Sequence, residues 1–311
     1  MGDRLDDMTV TLPLEQYRDL VHLDAPSPRP TRPLGTSVED TATQILTHLD
    51  ADPALARAGL VDVASLPRDR ARETLRAVLT VREPGPLPPP AQELLDVLLA
   101  HERAVRPTVE VRDLPVASES APGTTYPSAD RVAVWQGDIT TLAADAIVNA
   151  ANSALLGCFR PFHPCIDNAI HSAAGPRLRD DCEVIVRAQG GAEPTGTAKI
   201  TRGHHLPAKY VLHTVGPIVR GALRPAHVDA LASSYVSCLD LAALAGARTI
   251  AFCSISTGVF GFPKGPAACV ALGTVHRWLD EHPGTFDRVV FDVFTDDDLA
   301  TYRHTLDRWN A

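Results

Sequence analysis

The chain has almost no lysine. Lys199, Lys209 and Lys264 are the only three, and arginine supplies the rest of the 29 basic residues. With the abundance of Ala and Pro, this reads as compositional bias rather than function. An excess of positive charge is also missing. The formal net charge of -9 argues against sequence-independent nucleic-acid binding, which needs a basic surface. It leaves a nucleotide-sized ligand open, because backbone amides hold phosphates without net positive charge. No apolar run approaches the roughly 18 residues needed to cross a bilayer, so no membrane partner is expected. The N-terminal MGDRLDDMTV is acidic and lacks the apolar centre of a secretory signal. A cytoplasmic protein is therefore expected. There, the six cysteines read as metal ligands or reduced core thiols before disulfides. Cys182, Cys238, Cys253 and Cys269 lie mostly among apolar neighbours and read as small buried hydrophobes.

At 311 residues the chain can bury a sizeable core and hold two domains. Residues 1–113 suggest short helices over 13–24, 38–50, 66–79 and 91–104. The proline-rich breaks DAPSPRPTRP and EPGPLPPP separate them. This region reads as a helical accessory domain, followed by a Ser/Pro/Gly-containing linker over 114–128. From 129 to 311 the pattern changes. Six β-like runs appear (RVAVWQ, DAIVNA, AKITRG, YVLHTV, RTIAFCS and RVVFDV), with helical stretches between several of them. The clearest helix covers 227–245, where Val228, Leu231, Tyr235, Leu239 and Ala242 follow 3–4 spacing. Such alternation implies an α/β domain with helices on both faces of a mostly parallel sheet. Ligands of such sheets bind beyond the carboxyl ends of strands.

Four loops carry the chemistry. Asp138, after the first strand, is either a turn or cap residue or an acceptor for an amino group such as that of adenine. Asn149 and Asn152, in VNAANS, are turn-formers or amides presented to sugar hydroxyls. In GCFRPFHPCIDNAIHSAAG, Cys158, His163 and Cys165 fall on a loop whose Pro161 and Pro164 forbid a regular helix. Three good ligands suit a zinc ion with an open position, since structural sites usually take four. An unrelated pair of thiols beside a histidine is the alternative. Asp167 and His171 are four apart and share a face if a helix begins near Ile166. Each has an ordinary reading, as a first-turn acid complementing the dipole and as a hydrogen-bonded helix histidine. Finally, Ser256, Thr257, Gly258, Val259 and Phe260 form a turn whose consecutive amides suit an anion, with a helix start just beyond.

Together and in order, GDIT, VNAAN, CIDNAIHSAAG, GTAKITRGHHLPAKYVLHTVGP and STGVFGFP resemble the recurring blocks of the macrodomain family. The resemblance covers about 130–310. It implies a three-layer α/β/α macrodomain with a mixed sheet, preceded here by the small helical domain, and a cleft for ADP-ribose. Cys158, His163 and Cys165 further resemble the zinc-containing bacterial branch, whose loop replaces a glycine-rich stretch and which tends to carry a helical N-terminal extension. On that resemblance Zn2+ is the expected cofactor. Asp138 would meet the adenine amino group, with Ile139 lining that pocket. Residues 256–260 would wrap the diphosphate. Asn149 and Asn152 would serve the ligand, Asn152 at the distal ribose and as a member of the catalytic set with Asp167 and His171. Asp167 matches the catalytic aspartate and His171 a histidine supporting it. The expected function is zinc-dependent hydrolysis of the bond between ADP-ribose and a modified protein side chain. A non-catalytic ADP-ribose-binding module with structural zinc is one alternative, and deacetylation of O-acetyl-ADP-ribose another. The expected partners are ADP-ribose and ADP-ribosylated protein.

Overall fold

The computed structural model describes residues 11–27, 30, 32–60 and 62–309. The acidic segment 1–10, and Pro28, Arg29 and Thr31 of the first proline-rich break, lie outside the described residues. The N-terminal half is helical: α1 (Leu14–Tyr17), α2 (Val38–His48), α3 (Ala54–Arg57), α4 (Ala71–Val81) and α5 (Pro89–Val105). Two of the longer helices start where the sequence supplies a start. Ser37 caps α2 by accepting from the Asp40 amide, and α5 opens on prolines, which need no intrahelical donor there. Ala42, Ile45, Leu46, Leu75, Val78, Leu95 and Leu98 pack into one apolar cluster between α2, α4 and α5.

Helix α1 does not belong to that cluster. Leu14, Tyr17, Val21 and Leu23 pack into the core of the sheet instead, and Tyr17 Oη accepts the Ile200 amide at 3.0 Å. Regular helix stops at Tyr17 rather than running to 24, and His22 takes a left-handed backbone conformation. The segment 114–128 is likewise packed. It contains the short α6 (Ala117–Ser120), and Leu114, Val116 and Tyr126 are buried. Its apolar residues, set between the serines and prolines, anchor it to the sheet.

The remaining elements are β1 (Val109–Glu110), β2 (Val132–Gln136), β3 (Leu142–Ala143), β4 (Ala146–Ala150), α7 (Ile166–Ala174), α8 (Arg177–Gln189), β5 (Ala198–Arg202), β6 (Tyr210–Thr214), α9 (Pro225–Leu244), β7 (Thr249–Phe252), α10 (Lys264–Glu281), β8 (Arg288–Val293) and α11 (Asp296–Asp307). The main sheet has the order β2-β8-β7-β4-β6-β5. All its neighbours are parallel except β5 and β6; β1 and β3 form a separate short parallel pair. Side chains alternate between faces along each strand. His213 of β6 therefore points to Cys182 of α8, and the next residue, Thr214, points to Cys238 of α9. Helices cover both faces.

Two features place the site. Strands β4 and β7 pair only at Ala146–Ile147, so their carboxyl ends separate and leave a cleft. The N-terminal helices are clamped beside it. Asp96 of α5 takes Arg177 through bonds of 2.6 and 2.8 Å, together with His205 at 3.0 Å. Asp180 accepts the Gly85 amide at 2.8 Å.

Candidate active site

Helix α7 begins at Ile166, and Cys165 is its cap: the sulfur accepts the Asn168 amide at 3.4 Å. The preceding loop folds back so that Cys158, His163 and Cys165 all present ligand atoms within 4.8 Å of one another. Cys158 Sγ lies 3.7 Å from His163 Nδ1. Zinc–sulfur bonds of about 2.3 Å and zinc–nitrogen bonds of about 2.0 Å fit such a set with small adjustments. Burial pushes the Cys165 thiol up to about 11, the Asn168 amide opposes this, and the Cys158 sulfur adds to it. A bound cation reverses that balance, because it favours thiolates. The residues present therefore fit a zinc ion.

One residue into α7, the helical period turns Asp167 inward. Its Oδ1 accepts from Asn149 Nδ2 at 2.7 Å. Burial raises this carboxyl to about 6, against the Asn149 hydrogen bond and the Arg179 charge. His171, one turn on, places Nε2 at 3.4 Å from Asp167 Oδ1, without hydrogen-bond alignment. Neither ring nitrogen of His171 has a partner. Burial holds it neutral, far below the usual histidine range. Gly157 packs on its ring face; a Cβ there would lie 3.0 Å from the ring.

The side chain of Asn149, expected to serve the ligand, is fully buried and bridges Asp167 and His213 Nδ1, the latter at 3.2 Å. Asn152, half-buried, spends its side chain on its own loop, donating to Gly157 O at 3.1 Å and accepting the Ala154 amide at 3.0 Å. It shapes the loop that carries Cys158.

In the loop after β2, Asp138 Oδ1 accepts Thr140 N at 2.9 Å and Thr140 Oγ1 at 2.6 Å. Its Oδ2 accepts Arg106 from the helical region at 2.6 Å. Ile139 is buried beneath it. In the segment 256–260, Ser256 adopts φ +65° and its carbonyl accepts the Phe262 amide at 2.9 Å. The Phe260 carbonyl accepts the Val219 amide at 2.8 Å. Among the described residues, the amides of Gly258, Val259 and Phe260 meet no protein acceptor. A loop held at both ends with three free amides between is a nest for an anion.

Sequence reasoning missed four residues. His213 sits behind Asn149, and burial pushes it down to about 3. Its signal was faint: one histidine inside an apolar strand. Arg106 gave none, since its partner is 32 positions away. Phe294 is 77% exposed beside the Asp138 loop, where Val293 O accepts the Gly137 amide. Asp292 is buried with Oδ1 unpartnered, and burial plus the Asp138 charge hold it protonated, well above the usual carboxyl range.

Comparison with known proteins adds independent findings. Residues 148–271 match the Macro domain family. The chain is similar to a protein-ADP-ribose hydrolase of Treponema medium, 45% identical over 238 residues, covering 76% of this chain and 88% of that one. It is also similar to a protein-ADP-ribose hydrolase of Staphylococcus aureus strain MRSA252, 54% identical over 180 residues, covering 58% and 67%. Among solved structures, a Trypanosoma brucei macrodomain in complex with ADP-ribose is 35% identical with a TM-score of 0.56, covering 71% of this chain and 91% of that one.

Proposed function

The chain belongs to the macrodomain family, and from that premise we propose that it hydrolyses the bond joining ADP-ribose to a protein side chain. The relatives named protein-ADP-ribose hydrolase support this reading. So does one local observation: a buried carboxylate, Asp167, pinned at 2.7 Å by Asn149, two residues beyond Cys165. A module that only bound ADP-ribose would have no use for a costly buried acid at the ribose end.

The diphosphate lies against the free amides of 258–260, and adenine lies beside Asp138 and Phe294. The distal ribose then extends toward the mouth between Asn152 and Asp167. Cleavage leaves positive charge on the anomeric carbon in the transition state. The ionised Asp167 carboxylate stabilises that charge and accepts a proton from the attacking water, whose oxygen bonds to that carbon; the bond to the side-chain atom breaks, the side chain leaves with the bonding electron pair, and it takes up that proton. Asn149 fixes which oxygen faces the sugar. His171, neutral and unable to donate a positive charge, walls the carboxylate from solvent on one side. Cys158, His163 and Cys165 would hold a zinc ion, which when bound supplies a Lewis acid beside the ribose.

The test combines wild type and Asp167→Ala with substrates ADP-ribosylated on defined side chains, metal-replete and chelated. We expect wild type to release ADP-ribose from at least one linkage, and Asp167→Ala to release none while binding free ADP-ribose nearly as wild type. Equal turnover by both proteins would defeat the assignment of Asp167. Full activity in demonstrably zinc-free protein would reject a catalytic metal.

A further inference from the structure

A second, partly open pocket lies against the far side of the candidate metal loop, where α4 of the helical region faces α7 and α8. Arg72, Arg76, Arg179, Asn168 and Ser172 line it, and Cys158 and His171 form its wall toward the active site. The chain carries 38 acidic residues against 29 basic ones, yet no carboxylate lines this space.

The three guanidiniums differ in what they have left to give. Arg72 is bound in a two-point ion pair to Glu102. Arg179 donates to the carbonyls of Leu156, Leu79 and Arg82 and stacks 4.4 Å from the centre of the Phe159 ring. Those acceptors are neutral, so its charge is uncompensated by any ion pair among the described residues. Arg76 lies 5.8 Å from the ring centre of Phe162. Among the described residues its guanidinium makes one hydrogen bond, a long one of 3.4 Å to Asn168 Oδ1. Its Nε is buried without any partner. A buried guanidinium N–H left unpaired costs free energy. The two rings, Phe159 and Phe162, belong to the candidate metal loop, so that loop and the cavity's cations are in contact.

We propose that this cavity receives a carboxylate of the protein substrate, an Asp or Glu side chain near the modified residue. The inference rests on the proposed hydrolase reading and names its substrate class. None of residues 256–260 lines this cavity, so the proposed diphosphate seat lies elsewhere. A group that reaches Arg76 comes from outside that seat, on the side of the protein substrate. A carboxylate takes the planar guanidinium at two points, filling the unpaired Nε–H of Arg76, and Ser172 offers a hydroxyl beside it. The helical region thus supplies half of the substrate-recognition surface through α4.

Two peptides ADP-ribosylated at one serine test this, one with Glu residues flanking the serine and the other with Gln. Affinity is measured with Asp167→Ala protein, which leaves both peptides intact. We expect the Glu peptide to bind about tenfold tighter at low salt and the advantage to shrink as salt rises. Adding Arg76→Gln should remove that advantage and leave free ADP-ribose affinity unchanged. Equal affinity for the two peptides overturns the proposal, and needs no change to the cavity. An advantage that survives Arg76→Gln also overturns it. If wild type releases ADP-ribose from neither peptide nor any other linkage while the Glu preference and its loss are seen, the hydrolase reading falls and the carboxylate site stands.

Discussion

Asn149 Nδ2 lies 2.7 Å from Asp167 Oδ1 and is the one hydrogen-bond donor to that carboxylate among the described residues. The pair joins the end of β4 to the first turn of α7. It converts a helix acid, which could have faced solvent, into a fixed group inside the cleft. The same amide nitrogen lies 3.2 Å from His213 Nδ1, and His213 in turn meets Thr201 Oγ1 at 2.9 Å. The carboxylate is thus positioned by a chain of buried polar contacts that ends on β5.

Asn149→Ala should therefore act on turnover far more than on binding. The carboxylate loses its only donor and the freedom of its side chain rises. We expect kcat to fall about 10²-fold, the size of other lost oriented hydrogen bonds in active sites, with ADP-ribose affinity changed less than about threefold. Single-turnover release and calorimetric binding separate the two. A comparable loss in both would place Asn149 on the ligand rather than behind Asp167.

Cys165→Ser isolates the ligand role from the structural one. Serine caps helices at least as well as the cysteine that now accepts the Asn168 amide, so α7 keeps its start. Only the sulfur is lost. Purified protein should then hold well under one zinc per chain by elemental analysis, with a circular-dichroism spectrum matching wild type. A full equivalent of zinc in this variant would remove Cys165 from the ligand set.

How much of this was legible beforehand depended on sequence distance. Cys158, His163, Cys165, Asp167 and His171 lie within 14 positions (158–171), where spacing and helical period constrain geometry strongly. The six main strands were legible as short β-like runs, several of them buried on both faces, and α9 followed from its 3–4 spacing. Asn149 was visible, but not its direction: a strand residue points either to the ligand or under the helix, and the alternation that decides this depends on register with β6. Arg106 and Arg76 left no signal, because their partners, Asp138 and Asn168, are 32 and 92 positions away. Helix α1 was visible as a helix, yet its packing into the sheet domain hangs on Tyr17 reaching Ile200, 183 positions away.

Gly216 sits under the segment that should hold the diphosphate. A Cβ there would lie 2.0 Å from Ser256 Oγ and 2.8 Å from Ile255. Ser256 is buried with a left-handed backbone, so neither it nor its neighbour can yield without moving the loop. Gly216→Ala should weaken ADP-ribose binding by roughly tenfold and cost about 1–3 kcal/mol of stability, the usual range for overpacking. Titration calorimetry and chemical denaturation check the two. Unchanged affinity would show that the loop's set amides are not the diphosphate seat.

His213 gives a stability prediction with a definite sign. It is buried and neutral, and burial depresses it from 6.5 to about 3. Between those values the unfolded chain binds the proton and the folded one does not. Stability contributed by this group is therefore complete above about pH 6.5 and is lost as pH falls toward 3, at up to about 1.4 kcal/mol per pH unit. Asp167, raised to about 6, works in the opposite sense between 3.8 and 6, so the whole protein's profile mixes the two. His213→Gln separates them, because Asp167 is common to both proteins and glutamine keeps groups able to meet Asn149 and Thr201. From pH 7 to pH 5 wild type should lose about 2 kcal/mol more than His213→Gln in urea unfolding. Parallel curves would mean that His213 is protonated in the folded protein, and with it a positive charge would stand behind Asn149.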